Sequence, residues 1–241
     1  MNAQFHSTSI QETALERCAG EAAQYALLRR LAPVIRHNMA GTLQPIAMVA
    51  AMLERRLQKA DTDPEALLRN ARDIMALSKE AAASCVDLMG WLAPRENKSV
   101  KAGKGIAECL SMVATQLSFK GISIVDNTSP IDVELSQSAM RNVLTAAIIA
   151  LTDVAAGPRA LLMETEFADG FFSIQVSLGE LSTSAPARVP EKPPYRQLEW
   201  HDLEALALRE AVRLTRSENR IALLFETSPT TPDRLAEAVQ A

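Results

Sequence analysis

The chain has 241 residues, of which 48% are hydrophobic and 22% charged, and its net charge is −4. This balance is typical of a globular protein with a sizeable core, and it excludes a disordered chain and a small disulfide-stabilised scaffold. The negative charge argues against nucleic-acid binding through a broad phosphate-neutralising surface. Aromatic residues make up only 4% of the chain, which favours helix packing over an all-β sandwich.

The cysteines and the hydropathy pattern indicate the compartment. Cys18, Cys85 and Cys109 are odd in number and lack metal-ligand spacing, which predicts free thiols in a reducing environment and no metal site. The N-terminus has no apolar signal-peptide core, and the most apolar later run, residues 144–156, is interrupted by polar side chains. We therefore expect a cytoplasmic protein that does not enter a membrane.

Two long amphipathic helices are predicted in the first part of the chain. Residues 21–57 carry apolar side chains at three- and four-residue spacing, with a bend at Pro45. Asp63 and Pro64 then form a helix start signal, because the carboxylate caps free amides and proline fits the first helical position. This hairpin domain, residues 21–93, cannot bury both apolar stripes alone, so we predict a homodimeric four-helix bundle. The positions expected near the bundle core are Leu31, Ile35, Ile74 and Leu77.

The pattern changes after residue 93. Residues 94–105 are polar and carry helix breakers, which predicts a linker. Residues 106–228 mix helices, one of them over residues 202–216, with strands that include a hairpin at Ala168-Asp169-Gly170. This order predicts an α+β fold with helices on one face of a mixed sheet. We expect residues 1–20 to be a flexible N-terminus and residues 229–241 a C-terminal tail.

Residues 36–43 read Arg-His-Asn-Met-Ala-Gly-Thr-Leu and lie in the first helix of the hairpin. Together with the linker and the α+β domain, this segment resembles the core of a sensor histidine kinase. In that family a dimerisation hairpin carries the phosphoacceptor histidine and an ATP-binding domain follows. The resemblance covers roughly residues 21–227, mostly through the order of elements. It implies that His37 is the phosphoacceptor, with Asn38 in place of the usual acid and Thr42 in place of the usual proline.

The second domain lacks the groups with which that family binds nucleotide. Ala146 and Ala150 stand where the resemblance places two asparagines, and a shifted register that uses Asn142 still loses one of them. Ser177 replaces the adenine-binding aspartate, and the loop that should be glycine-rich is rich in proline. Since Mg²⁺ requires oxygen ligands, alanine cannot serve. The chain thus looks like a degenerate kinase without ATP or another cofactor, similar to the dimeric histidine phosphotransferases of the ChpT type.

The resemblance implies a phosphorelay role for His37. The histidine would relay phosphoryl groups between response-regulator receiver domains, and the receiver would supply the Mg²⁺. If the bundle seam contains Leu31, Ile35, Asn38 and Thr42, His37 lies at its margin. Cationic support for a phosphoryl group is expected from Arg29, Arg30 and Arg36.

Other interpretations stay open. A non-catalytic dimeric scaffold would bind a receiver or another regulator without phosphorylation of His37. An ATP-dependent kinase is disfavoured by the missing nucleotide ligands. Phosphatase action on a receiver would require Thr42 to position a water, because Gly41 stands where related kinases carry threonine or asparagine. Without its neighbours, His37 would be interpreted as an ordinary packing histidine, and His201 as a cap or surface histidine at a helix start.

Overall fold

The structure is a computed structural model that describes residues 3–58, 63–93, 98–155, 157, 159–180 and 196–227, with side chains from residue 14 onward. The predicted C-terminal tail and most of the proline-rich loop lie outside the described residues. The helices are α1 (Ala3–Leu57), α2 (Pro64–Leu92), α3 (Ala102–Phe119), α4 (Gln137–Ala139), α5 (Thr145–Asp153) and α6 (Trp200–Arg209). The strands are β1 (Ser99–Lys101), β2 (Ile122–Asn127), β3 (Glu134–Ser136), β4 (Arg159–Ala168), β5 (Phe171–Glu180), β6 (Arg213–Ser217) and β7 (Arg220–Glu226).

Two compact units share the chain. One consists of residues 1–30 and 96–241, which we call the sheet domain, and the other of residues 31–95, which we call the hairpin. Helix α1 is continuous, so its first part belongs to the sheet domain and its second part to the hairpin. In the sequence the hairpin interrupts the sheet domain between residues 30 and 96, and the α+β architecture agrees with the predicted fold class.

Helix α2 of the hairpin begins where the sequence predicts. The carboxylate of Asp63 accepts a hydrogen bond from the backbone amide of Glu65 at 3.0 Å, and Pro64 occupies the first helical position. Near this end of the hairpin, the Arg56 guanidinium donates to the side-chain oxygen of Asn70 at 3.3 Å, which joins the two helices. Leu31 and Ile35 are buried as expected, whereas Ile74 and Leu77 are only half-buried within one chain.

Helix α1 begins much earlier than the sequence indicates. It starts at Ala3, where a flexible segment over residues 1–20 was expected, and it continues through Pro33 and Pro45. The helix extends backward from a segment that packs within the sheet domain, where Gly20, Ala23 and Leu27 are buried, whereas residues 14–19 are exposed. Once that segment is helical, each further residue adds a backbone hydrogen bond without a new nucleation cost.

The sheet has five strands in the order β2-β4-β5-β7-β6, with β2 and β4 parallel and the other pairs antiparallel. The predicted hairpin turn joins β4 to β5, where Asp169 and Gly170 both adopt positive φ angles of 51° and 78°. Alternate side chains of the strands point into the core beneath the helices. The buried residues of these strands are Ile122, Leu161, Met163, Phe172, Ile174, Val176, Ile221, Leu223 and Phe225.

Two predictions about the sheet domain are wrong in detail. Within the expected linker, residues 99–101 form β1, which pairs antiparallel with β3, and α3 begins at Ala102. The helix expected over residues 202–216 ends at Arg209, because Ala211 adopts φ 54° and the amide of Val212 returns to the carbonyl of Ala207 at 2.9 Å. The chain then forms β6, which pairs with β7.

The single cysteine of α3 fits the expectation of a small buried hydrophobe. Cys109 is fully buried, and its thiol donates to the carbonyl of Met140 at 3.3 Å. Burial raises the pKa of this thiol to about 12, so it stays protonated and unreactive at neutral pH.

Candidate functional site

His37 is an exposed side chain in the middle of α1. The helix rotates by about 100° per residue, so His37 points roughly 120° to 160° away from the buried pair Leu31 and Ile35. In the part of the chain that the structure describes, no side chain forms a hydrogen bond or ion pair with its ring. Both ring nitrogens are therefore accessible to an incoming molecule.

The neighbours of His37 occupy the expected positions only in part. Arg36 is exposed, and Thr42 is half-buried on the same side as Leu31 and Ile35. Asn38 was expected in the seam but is exposed. It points within about 20° of buried Leu31, and the packing that buries Leu31 does not reach two turns further along α1. The Thr42 hydroxyl donates to the carbonyl of Met39 at 3.0 Å, as helical threonines commonly do.

Of the three arginines expected near His37, two are engaged elsewhere. Arg30 is buried and forms an ion pair with Asp153 at 2.8 Å. Arg29 donates to the Tyr25 hydroxyl at 3.3 Å and lies over that ring, 5.7 Å from its centroid. Arg36 is left as the exposed cation next to His37. The sequence could not reveal the Arg30 pairing, because its partner lies 123 residues away.

A smooth strip of α1 follows His37 on the same side of the helix. Gly41, Gln44, Met48 and Met52 are exposed and lie with His37 within about 80° of the helix circumference. A side chain at Gly41 would meet no atom within 4 Å, so the backbone is bare one turn after the histidine. Sequence reasoning noted Gly41 only as a missing polar group, although glycine in a helix interior is itself a signal of close approach.

The nucleotide positions of the second domain lie inside its core. Ala146 is fully buried, while Ala150 and Ser177 on β5 are half-buried. Residues 139–149 are buried at every position, so this helical stretch is covered on all sides. No side chain with a metal-binding oxygen stands at either alanine.

The helical stretch also contains a π-helical turn, Met140–Leu144, whose polar side chains are paired. Asn142 donates to Glu210 at 2.7 Å, and Arg141 contacts Glu108 at 2.9 Å. The wider turn allows consecutive side chains to reach different helices, α6 and α3. Asn142, the alternative nucleotide ligand of the shifted register, therefore serves packing. Sequence reasoning missed Glu210 and Glu108, which carry no local signal of this role.

Neither a metal cluster nor a membrane segment is found within the described ranges. Those residues contain no group of three or more histidine, cysteine, aspartate or glutamate side chains that could hold a metal ion. Every helix described is too short or too polar to cross a bilayer.

Comparisons with known proteins give a consistent but distant result. No protein-family model matches the chain, and no curated protein matches it in sequence. Among solved structures, the histidine kinase AdeS of Acinetobacter baumannii is 12% identical with a TM-score of 0.40, covering 78% of this chain and 98% of that one. A histidine kinase from Burkholderia phymatum is 11% identical with a TM-score of 0.40, covering 79% of this chain and 97% of that one.

A third similar structure is a bacterial phosphotransferase. It is 15% identical with a TM-score of 0.35, and the match covers 84% of this chain and 95% of that one. Identities and TM-scores this low do not carry a function from one protein to another. The function is therefore argued from the residues of this chain.

Proposed function

We propose that this protein is a histidine phosphotransferase that relays phosphoryl groups between response-regulator receiver domains through His37. The observation that carries the proposal is the exposed, unbonded ring of His37 on a helix of a hairpin. A second feature supports it, because the positions that would bind Mg²⁺ and nucleotide in a kinase are alanines, Ala146 fully buried and Ala150 half-buried. With an accessible acceptor and alanine at these two positions, the chain would receive its phosphoryl group from another protein.

The chemistry requires little of the chain beyond an accessible neutral imidazole. The lone pair of one ring nitrogen attacks phosphorus, the bond between phosphorus and the aspartyl oxygen breaks, and the carboxylate leaves with the bonding electrons. The reverse step returns the phosphoryl group to a second aspartate. Arg36 lies one residue away and supplies positive charge near the transferred group. Asn38 lacks the carboxylate that would act as general base for attack on ATP, which transfer from an acyl phosphate does not need.

The incoming receiver has a place to dock along α1. The strip from Gly41 to Met52 presents small, uncharged and methionine side chains beside His37, and methionine adapts to different partner surfaces. Relay partners must exchange on one site, so an adaptable surface suits the role.

The opposite side of α1 suits a second copy of the chain. Met39, Leu43 and Leu57 are exposed to 37%, 48% and 61%, and they lie roughly 120° to 160° round the helix from His37. A contiguous apolar stripe of this kind favours burial against another protein. Helix α2 leaves further exposed apolar side chains, namely Leu68, Met75, Val86, Met89 and Leu92. We propose that the hairpins of two chains bury these side chains in a four-helix bundle, which leaves the His37 strip accessible.

The alternative is a dimeric scaffold with the same surfaces and no chemistry. Both functions use the exposed strip for receiver binding, so binding alone does not separate them. The test is incubation of the purified full chain with a panel of receiver domains phosphorylated on aspartate. A relay gains phosphate that is labile to acid and stable to base, whereas a scaffold binds a receiver and gains none.

A further inference from the structure

Residues 20–30 of α1 form one packing face on the sheet domain. Gly20 allows close approach to α6, since an added Cβ would stand 3.2 Å from Cδ of Arg209 and 3.6 Å from the carbonyl oxygen of Ala205. Further along the same face, Ala23 and Leu27 are buried. Apart from Leu27, the buried apolar side chains of this face are the alanines Ala23 and Ala26, so one large side chain supplies most of its hydrophobic free energy.

The face ends at a charged cluster in which two cations share one carboxylate. The Arg30 guanidinium contacts Oδ1 of Asp153 at 2.8 Å, and the Lys120 ammonium contacts the same oxygen. Lys120 also donates to the carbonyl of Thr152 at 3.3 Å. The side chains of Arg30, Asp153 and Lys120 are exposed to only 9%, 5% and 20%. One carboxylate thus holds a cation from α1 and a cation from the end of α3.

The charged cluster adds little net stability to the contact between α1 and the rest of the sheet domain. Removing three charges from water costs free energy that their attraction repays only when every polar atom has a partner. Here Oδ2 of Asp153 is buried and has no hydrogen-bond partner among the described residues. A buried polar atom without a partner is destabilising, because it has lost its hydrogen bonds to water. Apolar side chains in the same place would stabilise the docked α1 more. The charges therefore favour a contact that is specific and has a small free energy of undocking.

We propose that Arg30 and Asp153 form an ionic latch that docks residues 20–30 of α1 reversibly onto the rest of the sheet domain. Lys120 is a second cation on the same carboxylate. In the open state this segment leaves α5 and α6 as one unit while the sheet stays folded. The shared Asp153 carboxylate is the essential group, because without it two cations face each other in a buried site. Lys120 is dispensable for docking, since the pair of Arg30 and Asp153 remains balanced when Lys120 is neutral. This proposal does not depend on phosphotransfer.

Native-state hydrogen exchange of the full chain tests the latch. In the wild type, amides of residues 20–30 should exchange through an opening that leaves β4 and β5 protected. Asp153→Asn should accelerate exchange of residues 20–30 by at least about tenfold, with β4 and β5 unchanged. Lys120→Met keeps the apolar stem of the side chain and should leave exchange of the segment at the wild-type rate. Asp132→Asn, which breaks the exposed pair with Lys101, is the matched control and should change neither region.

Three results would overturn the proposal. Equal acceleration of the segment and the sheet in Asp153→Asn would mean that the cluster only contributes to global stability. No acceleration in that variant would mean that the apolar contacts of residues 20–30 alone hold α1. An effect of Lys120→Met as large as that of Asp153→Asn would mean that Lys120 is as necessary as the carboxylate, which the proposal denies. If Asp153→Asn does not fold, Arg30→Gln and the wild-type exchange pattern decide the question by the same criteria.

Discussion

Substitutions at Gly41 test both the helix and the docking strip. A small side chain there should stabilise the protein, whereas a bulky one should slow phosphoryl transfer. Glycine in a helix interior costs roughly 0.5–1 kcal/mol relative to alanine, because it loses more backbone entropy on folding. At Gly41 an added Cβ meets no atom within 4 Å, so nothing opposes the gain. Gly41→Ala should therefore raise the free energy of unfolding by about 0.5–1 kcal/mol.

Gly105 is the matched comparison, because it also lies inside a helix. There an added Cβ would stand 3.1 Å from Cγ1 of Val100 and 3.1 Å from Cε of Met140. Overpacking of a filled core costs about 1–3 kcal/mol, which cancels or exceeds the gain in helix propensity. Gly105→Ala should therefore give no stabilisation. Urea titration of both variants, followed by circular dichroism, measures the difference.

The same site tests the docking strip. Gly41→Leu fits the open space, keeps the helix and places a bulky side chain one turn from His37, so it should slow phosphoryl transfer at least about tenfold by displacing the receiver. Gly103→Leu is the control, since Gly103 is equally open but lies in α3. The reasoning fails if Gly41→Ala destabilises the protein, if Gly105→Ala stabilises it equally, or if Gly41→Leu transfers at the wild-type rate.

Three further predictions concern the ion pair between Arg196 and Asp202, the alanines Ala146 and Ala150, and the exposed apolar stripe of α1. Burial raises the pKa of Asp202, but paired hydrogen bonds from Arg196 at 2.7 Å and the Glu199 amide lower it more, so the net pKa is below its ordinary value. Stabilisation by this pair should be full above about pH 4 and lost as pH falls through the lowered pKa, so urea titrations of wild type and Arg196→Met should converge in acid. Calorimetry should detect no Mg-ATP binding. A micromolar affinity would contradict the inference that alanine at positions 146 and 150 leaves the chain without Mg²⁺ ligands. Sedimentation should show a dimer that Leu43→Glu dissociates, and a wild-type monomer at micromolar concentration would contradict the bundle.

The elements that could be predicted from sequence are those with strong local signals. Asp63 and Pro64 mark the start of α2 because capping and proline geometry act within one turn. The strands β4 and β5 follow from alternating apolar residues around the Asp169-Gly170 turn, whose positive φ angles suit these residue types. The exposure of His37 was likewise accessible from helical periodicity, because Leu31 and Ile35 fix the buried side.

The features that the sequence hides depend on distant contacts. The end of α6 rests on a positive φ at Ala211, and alanine gives no warning of that conformation. The role of Arg30 is fixed by Asp153, far away in the chain, so its position near His37 in sequence was misleading. The early start of α1 is hidden too, since residues 14–19 are exposed and extend a helix whose buried residues begin at Gly20. Local pattern determines elements, whereas tertiary contact determines which side chains remain available for chemistry.

The central claim is that His37 carries the phosphoryl group, and transfer from a phosphorylated receiver domain to variants of the full chain tests it most directly. His37→Gln retains polarity and hydrogen bonding without the nucleophilic nitrogen, and His201→Gln is the matched control at another exposed histidine. The account predicts acid-labile phosphate on the wild type and on His201→Gln, and none on His37→Gln, while all three bind the receiver equally. Phosphate on His37→Gln, or a wild-type protein that binds receivers and never gains phosphate, would contradict it.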